Sequence, residues 1–228
     1  MFDLKDIPLS KYTRKEDIVN CVTHALGVPF CVVAAIMLFG LISGRTSGRI
    51  IFSTALYLVS MLIVFAGSAV YHGLKPSRAK QIARVIDHCN IFFMIAGMVT
   101  SFTIPAMTPE NRTKSIIVVV AVWALSLIGI FLTFMDFKKF ALPQVFMYII
   151  MGWLAMMGLI SVARNGDAGK EYAMFVLAGG LCITFGSVLY FVGKKRMYFH
   201  AVFHTFVLIG IIVIFCGVYR YYTAMLSM

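Results

Sequence analysis

Charge is missing from most of this sequence. Seven stretches, 18–44, 50–74, 88–109, 115–135, 140–163, 172–193 and 197–219, hold no Asp, Glu, Lys or Arg, and each is 21 to 27 residues long. A soluble domain alternates polar and apolar residues, so this pattern leaves almost no chain for one. Acidic side chains are scarcest, nine against twenty basic ones. Cysteine is sparse as well: Cys21, Cys31, Cys89, Cys182 and Cys216 are scattered through apolar sequence with no CxxC pair. An odd, scattered set argues against a disulfide framework or a thiolate metal site, and reads as small buried apolar residues. Residues 1–19 are mixed in charge and lack the apolar core of a signal peptide, so no cleavage is expected. No internal repeat or domain boundary stands out.

A helix needs about 20 apolar residues to cross a bilayer, and each charge-free stretch meets that length. Inside lipid the backbone must satisfy its own hydrogen bonds, which leaves helices or closed barrels. Long unalternating runs favour helices. The sequence therefore predicts an all-α integral membrane protein, a bundle of seven transmembrane helices. Residues 20–222 would form the bundle, 1–19 a short cytoplasmic segment and 223–228 a short external tail. Gly44, Gly48, Pro76, Pro109, Pro143 and the RNGDAG turn at 164–169 read as punctuation between helices.

The net charge of +11 would suit a nucleic-acid binder, but its distribution points elsewhere. One face of such a bundle receives thirteen cations, Lys5, Lys11, Arg14, Lys15, Lys75, Arg78, Lys80, Arg84, Lys138, Lys139, Lys194, Lys195 and Arg196. The other receives seven: Arg45, Arg49, Arg112, Lys114, Arg164, Lys170 and Arg220. The positive-inside rule then sets the N-terminus in the cytoplasm and the C-terminus outside. The basic excess is topological and can also meet anionic headgroups, so no nucleic-acid partner is required.

Histidine is rare too, and its placement is informative. With this topology all five, His24, His72, His88, His200 and His204, fall at the cytoplasmic face, although Lys and Arg alone set the orientation. In HAVFH, His200 and His204 are four residues apart and share one helix face. Facing lipid is costly, so they are expected to face the interior. With His72 arriving from the second helix they would make three nitrogen ligands around an open position, the pattern of a catalytic zinc site. Asp87 could serve as base, orienter or direct ligand, or could simply cap the third helix. Ser68, one turn before His72, could donate to a developing oxyanion, or back-bond within its own helix. Glu16, Asn20 and His24 in EDIVNCVTHALG form an i, i+4, i+8 stripe. That stripe could orient the ligands from behind, or be a solvated helix start with Glu16 at the positive dipole end. His88 is a further candidate to orient the ligands from behind, although His24 or His88 taken singly could be only an interfacial hydrogen-bonding group.

These segments together, EDIVNCVTHALG, SAVYH, DHCNIFFMIAG, SFTIP, MGWL and HAVFH, resemble the hemolysin III family across nearly the whole chain. That family is similar to the progestin and adipoQ receptors and more distantly to alkaline ceramidases. The resemblance implies a seven-helix protein of the cell membrane, in bacteria the plasma membrane, with a cytoplasm-side zinc ion. It carries the zinc histidines onto His72, His200 and His204, the serine onto Ser68 and the water-holding aspartate onto Asp87. Three activities are compatible with it. One is zinc-dependent hydrolysis of a membrane lipid amide or ester, another a lipid-binding sensor without turnover, and the third an oligomeric cytolytic pore. The charge-free stretches hold only scattered mid-membrane polar residues such as Ser60, Ser126 and Thr184, which disfavours a monomeric pore. A homo-oligomer stays open, and the lipid would be substrate or ligand.

Overall fold

The structure, a computed structural model, describes residues 7–164, 166–193 and 196–227. Lys5, Lys194 and Lys195, Asn165 of the RNGDAG turn, and the outermost residues of both expected end segments lie outside that set. Among the described residues all regular structure is helical, and seven spans are long and apolar enough to cross a membrane. The first span is α1 (Arg14–Ala25) continued by α2 (Gly27–Ile42). The others are α3 (Gly48–Gly73), α4 (Arg78–Thr103), α5 (Arg112–Met135), α6 (Phe137–Ala163), α7 (Gly166–Gly193) and α8 (Phe199–Leu226). The all-α seven-span architecture expected from the charge-free stretches is the one observed.

Local chemistry explains the breaks. Pro29 has no N–H to offer the Ala25 carbonyl four residues earlier, and its ring crowds that oxygen; α1 ends at Ala25. Gly27 then opens α2 against α3, where a Cβ would run into the Phe65 ring. Pro143, expected between helices, lies inside α6 instead. The carbonyl it leaves without a donor belongs to Lys139, an exposed residue near the helix start. The third span also starts earlier than its charge-free stretch. Ser77 caps α4 by accepting from the Lys80 N–H at 3.2 Å, so Asp87 sits well inside the helix and the N-cap alternative for it falls away.

The bundle packs α3 against both halves of the first span and against α4. Helix α4 also meets α5 and α6, α6 meets α7, and α7 meets α8. Interior positions are filled by large side chains, among them Tyr57, Met61, Phe65, Phe92, Phe102 and Met151. Phe52, Phe131 and Phe191 point outward, as lipid-facing residues do. Helices α7 and α8 approach through Gly179 and Gly210; a Cβ on either would collide with the other's carbonyl oxygen. Small residues at such crossings let backbones pack closely in membranes. This crossing fixes α8, whose first turns carry His200 and His204.

Candidate metal centre

Three helix ends converge at the end of the bundle where α1 begins. His72 is in the last turn of α3, and His200 and His204 are in the opening turns of α8. One ring nitrogen from each lies within 4.8 Å of the other two. The ring centroids are 5.1 Å apart for His72–His200, 5.2 Å for His72–His204 and 4.3 Å for His200–His204. Two nitrogens bonded at about 2.0–2.1 Å to one tetrahedral ion stand about 3.3 Å apart. Small side-chain rotations would therefore complete a chelate.

The hydrogen bonds behind two of these rings fit a metal. His72 Nδ1 lies 3.0 Å from Asp17 Oδ1, and His204 Nδ1 lies 3.2 Å from the Asn20 carbonyl oxygen. A carbonyl only accepts, and so does an ionised carboxylate, so both rings carry their proton on Nδ1 and present Nε2 with a free lone pair. His72 Nε2 is buried with no partner. Metal-binding histidines are commonly oriented by such a carboxylate or carbonyl. Asp17 is held in turn: its Oδ2 accepts from Lys80 Nζ at 2.6 Å, and Lys80 also donates to the Leu74 carbonyl at 3.0 Å. The chain Lys80–Asp17–His72 thus ties α4, α1 and α3 together.

The remaining candidates divide by what they touch. His24 stacks on His204, with centroids 3.5 Å apart and planes 20° apart, and sets its edge to Phe65. Both of its ring nitrogens, like both side-chain atoms of Asn20, are buried without partners. Glu16 reaches no histidine. Its Oε2 accepts from the Thr13 N–H and hydroxyl, each at 2.9 Å, and its Oε1 from the Tyr198 N–H at 3.3 Å. Glu16 therefore holds the start of α1 to the residue that opens α8. His88 is engaged by α6: its Nδ1 pairs with Gln144 Oε1 at 3.1 Å, and its carbonyl accepts from the Tyr148 hydroxyl at 2.8 Å. Asp87 on α4 is within interaction range of the Ser68 hydroxyl of α3, which lies one turn before His72.

Asp17 and Lys80 were not singled out from the sequence, and neither was Tyr12, whose ring stacks on His200 at 5.2 Å and stands 5.8 Å from His72. Burial, with Tyr190 beside it, keeps the Tyr12 phenol protonated well above its ordinary range. The signal for Asp17 lay in the spacing: Asp17, Asn20 and His24 are at i, i+3 and i+7, as much one helical stripe as the i, i+4, i+8 set.

Residues 12–215 match the family model described as Haemolysin-III related. The chain is 32% identical over 199 residues to the Hemolysin-3 homolog of Bacillus subtilis (strain 168), covering 87% of this chain and 91% of that one. It is 28% identical over 208 residues to Hemolysin-3 of Bacillus cereus, covering 91% and 92%. With the human Monocyte to macrophage differentiation factor it shares 27% identity over 217 residues, covering 92% and 86%. The match covers six of the seven spans whole and the seventh, α8, as far as Phe215, with every histidine of the cluster; the chain belongs to the hemolysin III family of multi-pass cell-membrane proteins.

Proposed function

We propose that this protein is a zinc-dependent hydrolase of an amide or ester bond in a membrane lipid. One observation carries the reading: His72, His200 and His204 bring a nitrogen each within 4.8 Å of one another at one end of a membrane bundle. Three imidazoles leave one coordination position open, as catalytic zinc sites do. When bound, zinc would supply a Lewis acid and make a water acidic near neutral pH. The chain's own groups would do the rest. Asp87 would take the proton from the attacking water and hand it to the leaving amine or alcohol. Ser68 would donate to the oxygen on which charge develops. Asp17 and the Asn20 carbonyl would hold their histidines in the ligating tautomer. The larger share of Lys and Arg at the histidine end supports a cytoplasmic orientation for it, at headgroup depth, where lipid amides and esters lie. Substrate would enter sideways from the bilayer.

The name of the human relative refers to differentiation and not to hydrolysis, which favours, as a second reading, a lipid-binding regulator using the same groups without turnover. The name Hemolysin-3 belongs to the Bacillus cereus relative. In this chain a monomeric pore is disfavoured by Tyr57, Phe65, Phe92 and Phe102 filling the interior; a pore would require an oligomer. Turnover separates the first two. Zinc-loaded, detergent-purified protein is incubated with N-acyl lipids and diacyl phospholipids, and released fatty acid is measured by mass spectrometry. Product from the wild type and none from Asp87→Asn supports the hydrolase. No product from any lipid of the panel contradicts it and favours the regulator.

A further inference from the structure

Arg84 is a cation at this site that makes no direct ion pair among the described residues. It lies on α4 three residues before Asp87 and four before His88, on the same helix face. Its guanidinium sits over the Phe137 ring, 5.0 Å from the centroid. It is within electrostatic range of Asp87 and His88 on its own helix and of Tyr12, Tyr71, His72 and His200 in and around the histidine cluster. Its Nε is buried with no hydrogen-bond partner. Among the described residues no carboxylate, Asp87 included, lies within ion-pair distance of it.

Two of the nearby carboxylates are engaged elsewhere. Asp17 is bound by His72 and Lys80. Glu16 is taken by Thr13 and the Tyr198 N–H, and Asp87, with Ser68 near it, feels the Arg84 charge without pairing to it directly. An arginine that merely snorkels sends its head out to the bulk interface. This one is half-buried, with its Nε shielded from solvent and its guanidinium over Phe137, whose ring packs against His88. Guanidinium groups of this kind recognise planar or tetrahedral oxyanions with paired N–H donors.

We propose that Arg84 binds the oxyanion headgroup, phosphate or carboxylate, of an acyl lipid whose polar end lies against the three histidines. This rests on the reading that a membrane lipid reaches the site, and it narrows that lipid to an anionic one. Arg84 would anchor the headgroup while the acyl chain stays in the bilayer, so neutral lipids of the same chain length would be held poorly.

The test reads binding and not turnover, so it stands or falls whether or not the protein hydrolyses anything. Detergent-purified protein is titrated with palmitoyl lysophosphatidic acid, palmitate or neutral 1-palmitoylglycerol, and bound lipid is counted by native mass spectrometry. One or both anionic lipids should bind at least about tenfold more tightly than the neutral one, the worth of a charge-assisted hydrogen bond. Preference for lysophosphatidic acid assigns a phosphate; preference for palmitate assigns a carboxylate. Arg84→Gln should abolish the preference, Arg84→Lys should keep part of it, and Arg112→Gln, at the far end of the bundle, should leave it intact. Unchanged elution on size exclusion shows that the variants fold. Equal binding of all three lipids by the wild type, or a preference that survives Arg84→Gln, overturns the assignment.

Discussion

His72 Nδ1 lies 3.0 Å from Asp17 Oδ1, joining the last turn of α3 to a carboxylate 55 residues earlier in the chain. The same carboxylate holds Lys80 at 2.6 Å, so one buried acid both orients an imidazole and neutralises an ammonium. Asp17→Ala is expected to weaken zinc binding by about 10–100-fold. It also strands Lys80, at a cost of about 3–5 kcal/mol in stability. The two effects come apart in the double variant Asp17→Ala/Lys80→Met, which should regain stability and not zinc affinity. Competition with a calibrated chelator measures the affinity, and thermal unfolding in detergent the stability. Wild-type zinc affinity in Asp17→Ala would contradict the role given to Asp17.

Glu16 acts on the backbone and not on a ring. Glu16→Ala breaks the capping box with Thr13 and the bond to the Tyr198 N–H, and should cost about 1 kcal/mol. Tyr198 has a left-handed φ of 63° at the N-cap of α8, a conformation glycine takes without strain. Tyr198→Gly should therefore leave stability unchanged or raise it by up to about 1 kcal/mol. A large loss in Tyr198→Gly would mean that its side chain, and not the turn, matters.

Helix α8 delivers two of the three histidines, and the Gly179–Gly210 crossing sets its position. Gly210→Val should push α8 from α7 and lower both stability and zinc content. Gly180, next along α7, has open space around it. Gly180→Ala should be neutral or stabilising by about 0.5–1 kcal/mol. Equal behaviour of the two variants would show that close approach at the crossing is not what holds α8.

The seven spans were legible because lipid tolerates so little charge that its absence outlines each helix. The histidine cluster was legible for a related reason, since rare ionisable residues at one membrane face have few roles. The start of α4 was hidden by Arg78, Lys80 and Arg84, whose charges place it outside the charge-free stretch 88–109. Ser77 as a cap and Lys80 folded inward onto Asp17 explain why that stretch is helix. Asp17 was hidden because its partner comes from another span, and helical periodicity says nothing about which spans meet. Glu16 had the right spacing for a stripe, yet its partners are the Thr13 N–H and hydroxyl of its own capping box and the Tyr198 N–H, not a histidine.

The central claim is that His72, His200 and His204 hold one metal ion, and elemental analysis after loading with zinc tests it most directly. Wild-type protein, purified without chelator and offered zinc, should retain one zinc per chain. His72→Ala and His200→Ala should each lose it while still eluting as folded protein. His88→Ala, whose ring is held by Gln144, should keep it. No retained zinc in the wild type, or full retention in both His72→Ala and His200→Ala, would contradict the account.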